Sequence, residues 1–305
     1  MKNQTSNSGN QAAITQADIR LGRLFALGSA TFLGLNTSLA RLAYEGGSNP
    51  GTVVFIRILL TATVVALLIV FSRRSFSLSK PAILPTFGVG FAVVFQGTAY
   101  LTSVSFIPVG LAVLLFYTYP LMVALASRII DKQKIERSRM IAFLIAFGGI
   151  GLAVGPSFNV LDWRGVVLAL MGGFGVMSIF LFSAQAMKHA GSVSVSFYSN
   201  FFAVPMMALT MIVLGGYHPP TTTMGQAGLL GVCILYSLAI LMQYAAIHSI
   251  GKTRTALLSN LEPLVSIAAG ALLLGETLSG IQYAGGLIVV TALVVSDWMA
   301  RRKNA

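Results

Sequence analysis

The chain has 305 residues, of which 56 % are hydrophobic and 9 % are charged, and its mean hydropathy is +0.83. A soluble domain carries about 25 % charged residues, so this chain has too few charges to cover a water-facing surface. The composition therefore excludes a soluble enzyme and a disordered chain. One cysteine provides no disulfide framework, and three scattered histidines do not suggest a metal site. We expect a polytopic membrane protein that uses no metal and no cofactor.

Ten apolar segments are candidates for membrane-spanning helices, each of which needs about 20 residues to cross the hydrocarbon layer. The segments are 21–43, 52–71, 82–103, 109–129, 140–154, 163–187, 192–214, 225–247, 253–274 and 278–300. Their long unbroken apolar runs predict helices and do not fit the alternating pattern of a β-barrel. The predicted fold class is an all-α polytopic membrane protein with ten transmembrane helices. At the start of the sixth segment, Asp162 is expected to cap the helix and Trp163 to anchor it at the membrane boundary.

The basic residues are distributed unevenly between the two sides that these segments define. Seventeen lie on one side, Arg41 and Arg164 lie on the other, and Arg57 lies inside the second segment. By the positive-inside rule both termini are cytoplasmic, in a multi-pass protein of the inner (plasma) membrane. Residues 1–20 are polar and predict a disordered cytoplasmic tail, residues 301–305 form a short basic tail, and the first span is expected to be retained. The net charge of +12 is thus expected to meet anionic lipid, and no loop is long enough to bind nucleic acid.

The chain contains an internal repeat. VLLFYTYPLMVALASRIIDKQKI at 113–135 aligns without a gap with ALLSNLEPLVSIAAGALLLGETL at 256–278, at an offset of 143, and this matches Pro120 to Pro263. The offset is about half the chain, which predicts two repeats of five helices, 21–156 and 157–300. Five is odd, so the repeats must be inverted relative to each other. Inverted repeats are typical of secondary transporters, whose substrate site lies near the midplane between the repeats.

These features resemble a known family. The ten spans, the matched prolines and the stretch EPLVSIAAGALLLGETL at 262–278 resemble the EamA branch of the drug/metabolite transporter superfamily, over about residues 22–300. Within that branch, FYTYPL at 116–121 is similar to the fourth span of YddG-type aromatic amino-acid exporters, whereas Glu262 departs from their pattern. The resemblance implies export of small metabolites from the cytoplasm. No GxxxxGK[ST] motif for nucleotide binding occurs, so we expect no ATP hydrolysis.

Glu262 is the strongest candidate for a functional residue. A charged carboxylate in the middle of a span costs roughly 2.5–3.5 kcal/mol, so Glu262 should face the bundle interior or a water-filled cavity. Pro263 cannot donate a backbone hydrogen bond, and this predicts an unpaired carbonyl at Ser259. An acid and a free carbonyl would suit a substrate ammonium group or a proton. The alternative is a protonated carboxyl group that holds a neighbouring helix.

Other polar side chains inside the spans are further candidates. Three tyrosines would form an aromatic-polar wall of a cavity, or pair with other helices, and four amides would provide hydrogen bonds to substrate or between helices. The predicted substrate-binding residues, with Glu262, are Tyr100, Tyr117, Tyr119, Asn36, Gln96, Gln243 and Asn260. Pro120 and Pro263 are predicted to bend the fourth and ninth helices. The long stem of Arg57 can reach the headgroups; alternatively, Arg57 pairs with a carboxylate such as Glu45 or a substrate acid.

The sequence thus predicts a secondary transporter that exports small amphiphilic metabolites, including aromatic amino acids, by alternating access. Its expected partners are a small-molecule substrate and membrane lipid, with no nucleic acid, and the expected state is a monomer. Proton coupling and facilitated diffusion are both compatible with the sequence. The alternatives are a transporter of other drugs, metabolites or lipids, and a membrane-embedded enzyme. The enzyme is disfavoured because no nucleophile with a base and no metal-binding motif appears within the spans.

Overall fold

The structure is a computed structural model in which the described part of the chain is helical. The described residues are 16–71, 77–103, 106, 115–130, 137–154, 162–213, 215–274, 280–281, 284–285, 287–288, 291–292 and 295. No strand occurs within these ranges. Most of the predicted N-terminal tail and the basic C-terminal tail lie outside the described residues.

The helices of the described part follow one another with short connections. They are α1 (Gln16–Glu45), α2 (Pro50–Phe71), α3 (Lys80–Ser103), α4 (Tyr119–Ile130), α5 (Arg137–Val154), α6 (Trp163–Ala186), α7 (Ser192–Val213), α8 (Thr223–Ile250), α9 (Lys252–Leu258) and α10 (Glu262–Leu274), with a 3₁₀ turn at Ser259–Leu261. Five stretches are long and apolar enough to cross a membrane: Pro50–Phe71, Lys80–Tyr100, Trp163–Ala186, Ser192–Val213 and Thr223–Ile250. The all-α polytopic membrane fold predicted from composition is confirmed.

The structure differs from the predicted spans at the start of the first span and within the fourth and ninth spans, and it describes the tenth span only in part. Helix α1 begins at Gln16, so residues 16–20 of the predicted tail are helical; Asp18 lies in the first turn, where a negative charge interacts favourably with the helix dipole. The predicted ninth span, 253–274, is interrupted by the 3₁₀ turn. The tenth span, predicted at 278–300, is described only in short helical pieces between 280 and 295.

The helices of the two halves contact each other in a pattern with two-fold exchange symmetry. The most extensive contacts join α1 to α8 and α3 to α6, and α2 packs on α7. The counterparts in the two repeats are α1 and α6, α2 and α7, α3 and α8, and α4 and α10. Exchanging each helix for its counterpart turns the α1–α8 contact into the α6–α3 contact and leaves the α2–α7 contact unchanged. The contact of α1 with α10 likewise corresponds to that of α6 with α4. This symmetry is expected of a duplicated fold whose halves interlock.

Helices α1 and α8 run antiparallel along a seam of close approaches. A side chain at Gly28 would meet Met242, and at the other end of the seam a side chain at Gly46 would meet Gly225. Between these points a Cβ at Gly228 would lie 2.8 Å from the carbonyl oxygen of Leu39. In lipid, helices associate through such close backbone packing because no hydrophobic effect drives them together. Small residues therefore position the two halves against each other.

Helix α6 begins as the sequence predicts. The Asp162 carboxylate accepts the backbone N–H of Arg164 at 2.9 Å and forms an ion pair with its guanidinium at 2.7 Å. These bonds from Arg164 hold the pKa of Asp162 below its ordinary value. The carboxylate cap satisfies a backbone donor that the first turn of a helix leaves unpaired. Trp163 beside it is largely exposed, as an anchor at the membrane boundary would be.

The glycine seam gives a prediction about stability. Gly228→Ala should lower the free energy of unfolding by about 1–3 kcal/mol, because the new methyl group overlaps a backbone carbonyl that cannot move aside. Thermal unfolding of the detergent-solubilised protein measures this change. The matched control is Gly148→Ala on α5, where a Cβ meets nothing within 4 Å. There the substitution should stabilise by about 0.4–1 kcal/mol, and equal effects at both sites would contradict the prediction.

Candidate functional site

The fourth and ninth spans are both broken in the interior of the bundle, at equivalent positions. In the fourth, residues 117–118 form a turn, Thr118 N–H donates to the Leu115 carbonyl, and α4 begins at Tyr119. In the ninth, the 3₁₀ turn precedes α10, which begins at Glu262. Pro120 and Pro263 therefore occupy the same place, the second residue of the helix after each break. A proline there loses nothing, because the first turn leaves its N–H groups unpaired in any case.

The prediction of an unpaired carbonyl at Ser259 is wrong. The Glu262 N–H donates to the Ser259 carbonyl, which closes the 3₁₀ turn. The prediction assumed a continuous α-helix, in which the missing N–H of Pro263 would have been the partner of that carbonyl. The 3₁₀ turn instead provides the N–H of Glu262, the residue before Pro263. This backbone acceptor is therefore already engaged.

Five aromatic rings, four buried and that of Tyr100 partly buried, form a cluster next to the fourth-span break, and we call it the aromatic cluster: Tyr100, Phe116, Tyr117, Tyr119 and Phe180. Ring centroids are 4.5 Å apart for Tyr100 and Phe116, 5.8 Å for Tyr117 and Tyr119, and 5.9 Å for Tyr119 and Phe180. The structure thus brings the three predicted tyrosines together. Sequence reasoning missed Phe180, because its place in an apolar helix is not distinguished from that of an exposed phenylalanine such as Phe182.

Glu262 lies against the aromatic cluster. The Tyr117 hydroxyl is within hydrogen-bonding reach of the Glu262 carboxyl group, and the Tyr100 and Tyr119 side chains also interact with it electrostatically. Tyr119 is within reach of the Ser259 side chain as well. The carboxyl group therefore faces the protein interior, as the cost of exposing it to lipid requires.

Glycines allow α1 and α6 to approach the two breaks closely. A Cβ at Gly34 of α1 would lie 2.6 Å from the Glu262 carbonyl oxygen, and a Cβ at Gly173 of α6 would lie 2.9 Å from the Phe116 carbonyl oxygen. Each break is therefore covered by the first helix of the opposite half. This arrangement encloses irregular backbone in protein, which is the condition for its occurrence at membrane depth.

Arg57 points into the bundle. Its guanidinium lies 4.4 Å from the centroid of the Tyr236 ring on α8. It interacts electrostatically with Tyr44 and with Glu262. Glu45, the carboxylate considered as its partner, is instead bound by Arg41 at 3.2 Å. An aromatic face on α8 therefore receives the Arg57 cation.

The predicted amides are distributed over several contacts. Asn36 donates to the Val232 carbonyl at 2.7 Å and so joins α1 to α8. Gln96 packs against Gly175 at the α3–α6 contact, and Gln243 is buried on α8. Asn260 belongs to the 3₁₀ turn, and its Oδ1 atom is buried without a hydrogen-bond partner among the described residues. Of the four amides, Asn260 is thus the one adjacent in sequence to the Glu262 break.

The site combines flat aromatic surface, a carboxyl group and a guanidinium in the interior of the bundle. These groups can bind a small amphiphilic molecule that carries charge. In the described ranges, no group of three or more His, Cys, Asp or Glu side chains is close enough to hold a metal ion. A crevice of about 1160 Å³ opens elsewhere, and its lining includes Gln185, Lys188, His248 and Arg254. It lies at the C-terminal ends of α6 and α8.

Comparison with known proteins places the chain in a family. The sequence profile of the EamA-like transporter family matches twice, at 20–155 and 163–296. A probable amino-acid metabolite efflux pump of Salmonella typhimurium (strain LT2) is 25 % identical, over 68 % of this chain and 75 % of that protein. The threonine/homoserine exporter RhtA of the same organism (strain LT2) is 25 % identical, over 74 % of this chain and 75 % of that one.

A third relative and a solved structure agree with this placement. Protein PecM of Dickeya dadantii is 26 % identical, over 62 % of this chain and 65 % of that protein. A crystal structure with a TM-score of 0.77 and 16 % identity covers 95 % of this chain and all of that chain, which shows that the fold is shared. The resemblance to the EamA branch predicted from the sequence is confirmed. With both repeats matched by the family profile, the chain belongs to the EamA-like transporter family.

Proposed function

We propose that this protein exports small amphiphilic metabolites from the cytoplasm across the inner membrane, and that amino acids, including aromatic ones, are its substrate class. The observation that carries the proposal is the aromatic cluster with Glu262 beside it, in the bundle interior where both broken helices meet. Aromatic faces can stack on a flat side chain, and a carboxylate can compensate an ammonium group. Two of the relatives described above are named for amino-acid or metabolite export, which supports the class and the direction.

Alternating access would follow from the duplicated fold. The two breaks occupy equivalent positions in inverted halves, so a change of conformation at one break has a counterpart at the other. Pro120 and Pro263 would act as the points at which the broken helices bend. We expect cytoplasmic termini, a monomer in contact with lipid, no cofactor and no enzymatic activity, because the described site offers groups that bind and none that form a nucleophile with its base.

Counterflow in proteoliposomes tests the proposal. Vesicles that contain the purified protein and are preloaded with an unlabelled amino acid should accumulate the labelled amino acid transiently, because a carrier exchanges substrate across the membrane. A panel of aromatic and aliphatic amino acids identifies the preferred substrate. The controls are vesicles without the protein and protein-containing vesicles that are not preloaded with amino acid. If no member of the panel shows trans-acceleration, the proposed substrate class is wrong.

The role of Glu262 gives a separate prediction. Affinity for an amino acid should fall as the pH is lowered, because protonation of Glu262 removes the negative charge that compensates the ammonium group. Glu262→Gln should lower affinity by about tenfold and flatten this pH profile. The neutral amide also keeps hydrogen bonding to Tyr117 possible, so the fold should persist.

The control for this prediction is Glu45→Gln. Glu45 is also a carboxylate on a membrane helix, but it is exposed and pairs with Arg41. Glu45→Gln should therefore leave the affinity for an amino acid and the pH profile of this affinity unchanged. The pH profile is interpreted with the groups that surround Glu262, which are Tyr100, Tyr117, Tyr119 and Arg57. A wild-type profile retained in Glu262→Gln would contradict the assigned role.

A further inference from the structure

Arg57 has a buried N–H donor inside the bundle that none of the described groups uses. Its Nε atom is buried and has no hydrogen-bond partner among the residues that the structure describes. The guanidinium rests on the face of Tyr236, which orients it but accepts no N–H bond in the plane of the guanidinium. Charged side chains at membrane depth are costly and normally pair with one another or mark a substrate pathway. The fork of N–H donors in arginine matches a carboxylate in bidentate geometry.

Arg57 and Glu262 influence each other without touching. The two charges are close enough to interact electrostatically. Within the described part of the chain, ion pairs join Arg41 to Glu45 and Arg164 to Asp162, but none joins Arg57 to Glu262. Opposite charges that interact inside the bundle without forming an ion pair are complementary to a molecule that carries both charges.

Asn260 adds a buried acceptor two residues before Glu262. Its buried Oδ1 atom lacks a partner among the described residues, and it belongs to the turn that precedes Glu262. A buried acceptor left unpaired is unfavourable, and a bound donor would remove this cost. The unused donor on α2 is therefore suited to a carboxylate, and the unused acceptor on the 3₁₀ turn is suited to an ammonium group. A zwitterion carries both of these groups.

We propose that Arg57 binds the carboxylate of the transported molecule while Glu262 and Asn260 receive its ammonium group. The substrate class is thereby narrowed to free amino acids in their zwitterionic form, with the side chain against the aromatic cluster. Amides, esters and amines that lack the carboxylate are poor substrates. The inference rests on the proposed function, since it specifies how the same site recognises its cargo.

A purely structural role for Arg57 makes a different prediction. If its guanidinium served only to pack on Tyr236, its removal would lower stability and the amount of folded protein, and the remaining protein would keep its selectivity. The decisive quantity is therefore the ratio of two affinities, one for an amino acid and one for its amide. This ratio does not depend on how much protein is folded.

The experiment measures competition in counterflow, with labelled phenylalanine as the exchanged substrate. Unlabelled phenylalanine and phenylalaninamide, which have nearly the same size, are the competitors. In the wild-type protein the amide should compete at least about tenfold more weakly, since it cannot form the charge-assisted pair. In Arg57→Gln the affinity for phenylalanine should fall by about tenfold or more and the preference over the amide should disappear. Arg57→Lys should keep the preference with reduced affinity, because it retains the charge but not the fork.

The matched control is Arg41→Gln, which removes an exposed arginine from the end of α1 and should leave both affinities unchanged. Equal competition by acid and amide in the wild type, or a preserved preference in Arg57→Gln, overturns this inference while amino-acid exchange itself upholds the proposed function. Absence of any amino-acid exchange by the wild type overturns both. If Arg57→Gln does not fold, Arg57→Lys decides, and unchanged affinity for phenylalanine in that variant overturns the inference.

Discussion

The rest of the structure depends on one constraint, which is that backbone N–H and C=O groups at membrane depth must find partners within the protein. The chain breaks two of its helices in the interior and still meets this constraint. The Thr118 N–H donates to the Leu115 carbonyl, and the Glu262 N–H donates to the Ser259 carbonyl. The helix that follows each break has a proline as its second residue. The helices that cover the breaks do so at glycines, because a larger residue would hold them away. The site is therefore a product of backbone irregularity that the fold protects.

The same protection explains how ionisable side chains persist in the interior. Glu262 is surrounded by tyrosines whose hydroxyl groups can solvate it, and Arg57 lies on an aromatic face. Each environment moderates the cost of a charge without neutralising it by a direct ion pair. A fully paired Arg–Glu contact would be more stable but closed to ligand. A binding site for a charged molecule requires the separated arrangement, since the ligand must provide the missing contacts.

Much of the fold could be predicted from the sequence, because hydropathy and charge asymmetry report directly on the membrane. The match of Pro120 with Pro263 also identified the equivalent positions where both helices break, although it could not distinguish a bend from a 3₁₀ turn. Helix rotation was beyond reach, since the few polar residues of α8 do not define one polar face and so do not show that Tyr236 is turned toward Arg57. Phe180 was missed for the same reason. Asn36 had a plausible polar role, but only the structure shows that it joins α1 to the Val232 carbonyl.

The seam between α1 and α8 has a mechanical consequence. It joins the first half of the chain to the second along nearly the whole length of both helices, and α3 and α6 are joined in the same way. The unit that was duplicated in the gene is therefore not the unit that can swing as a rigid body. Any rocking motion that preserves these seams must carry helices of both halves together, and the pieces that shift against them must be sought among the shorter segments around the broken spans.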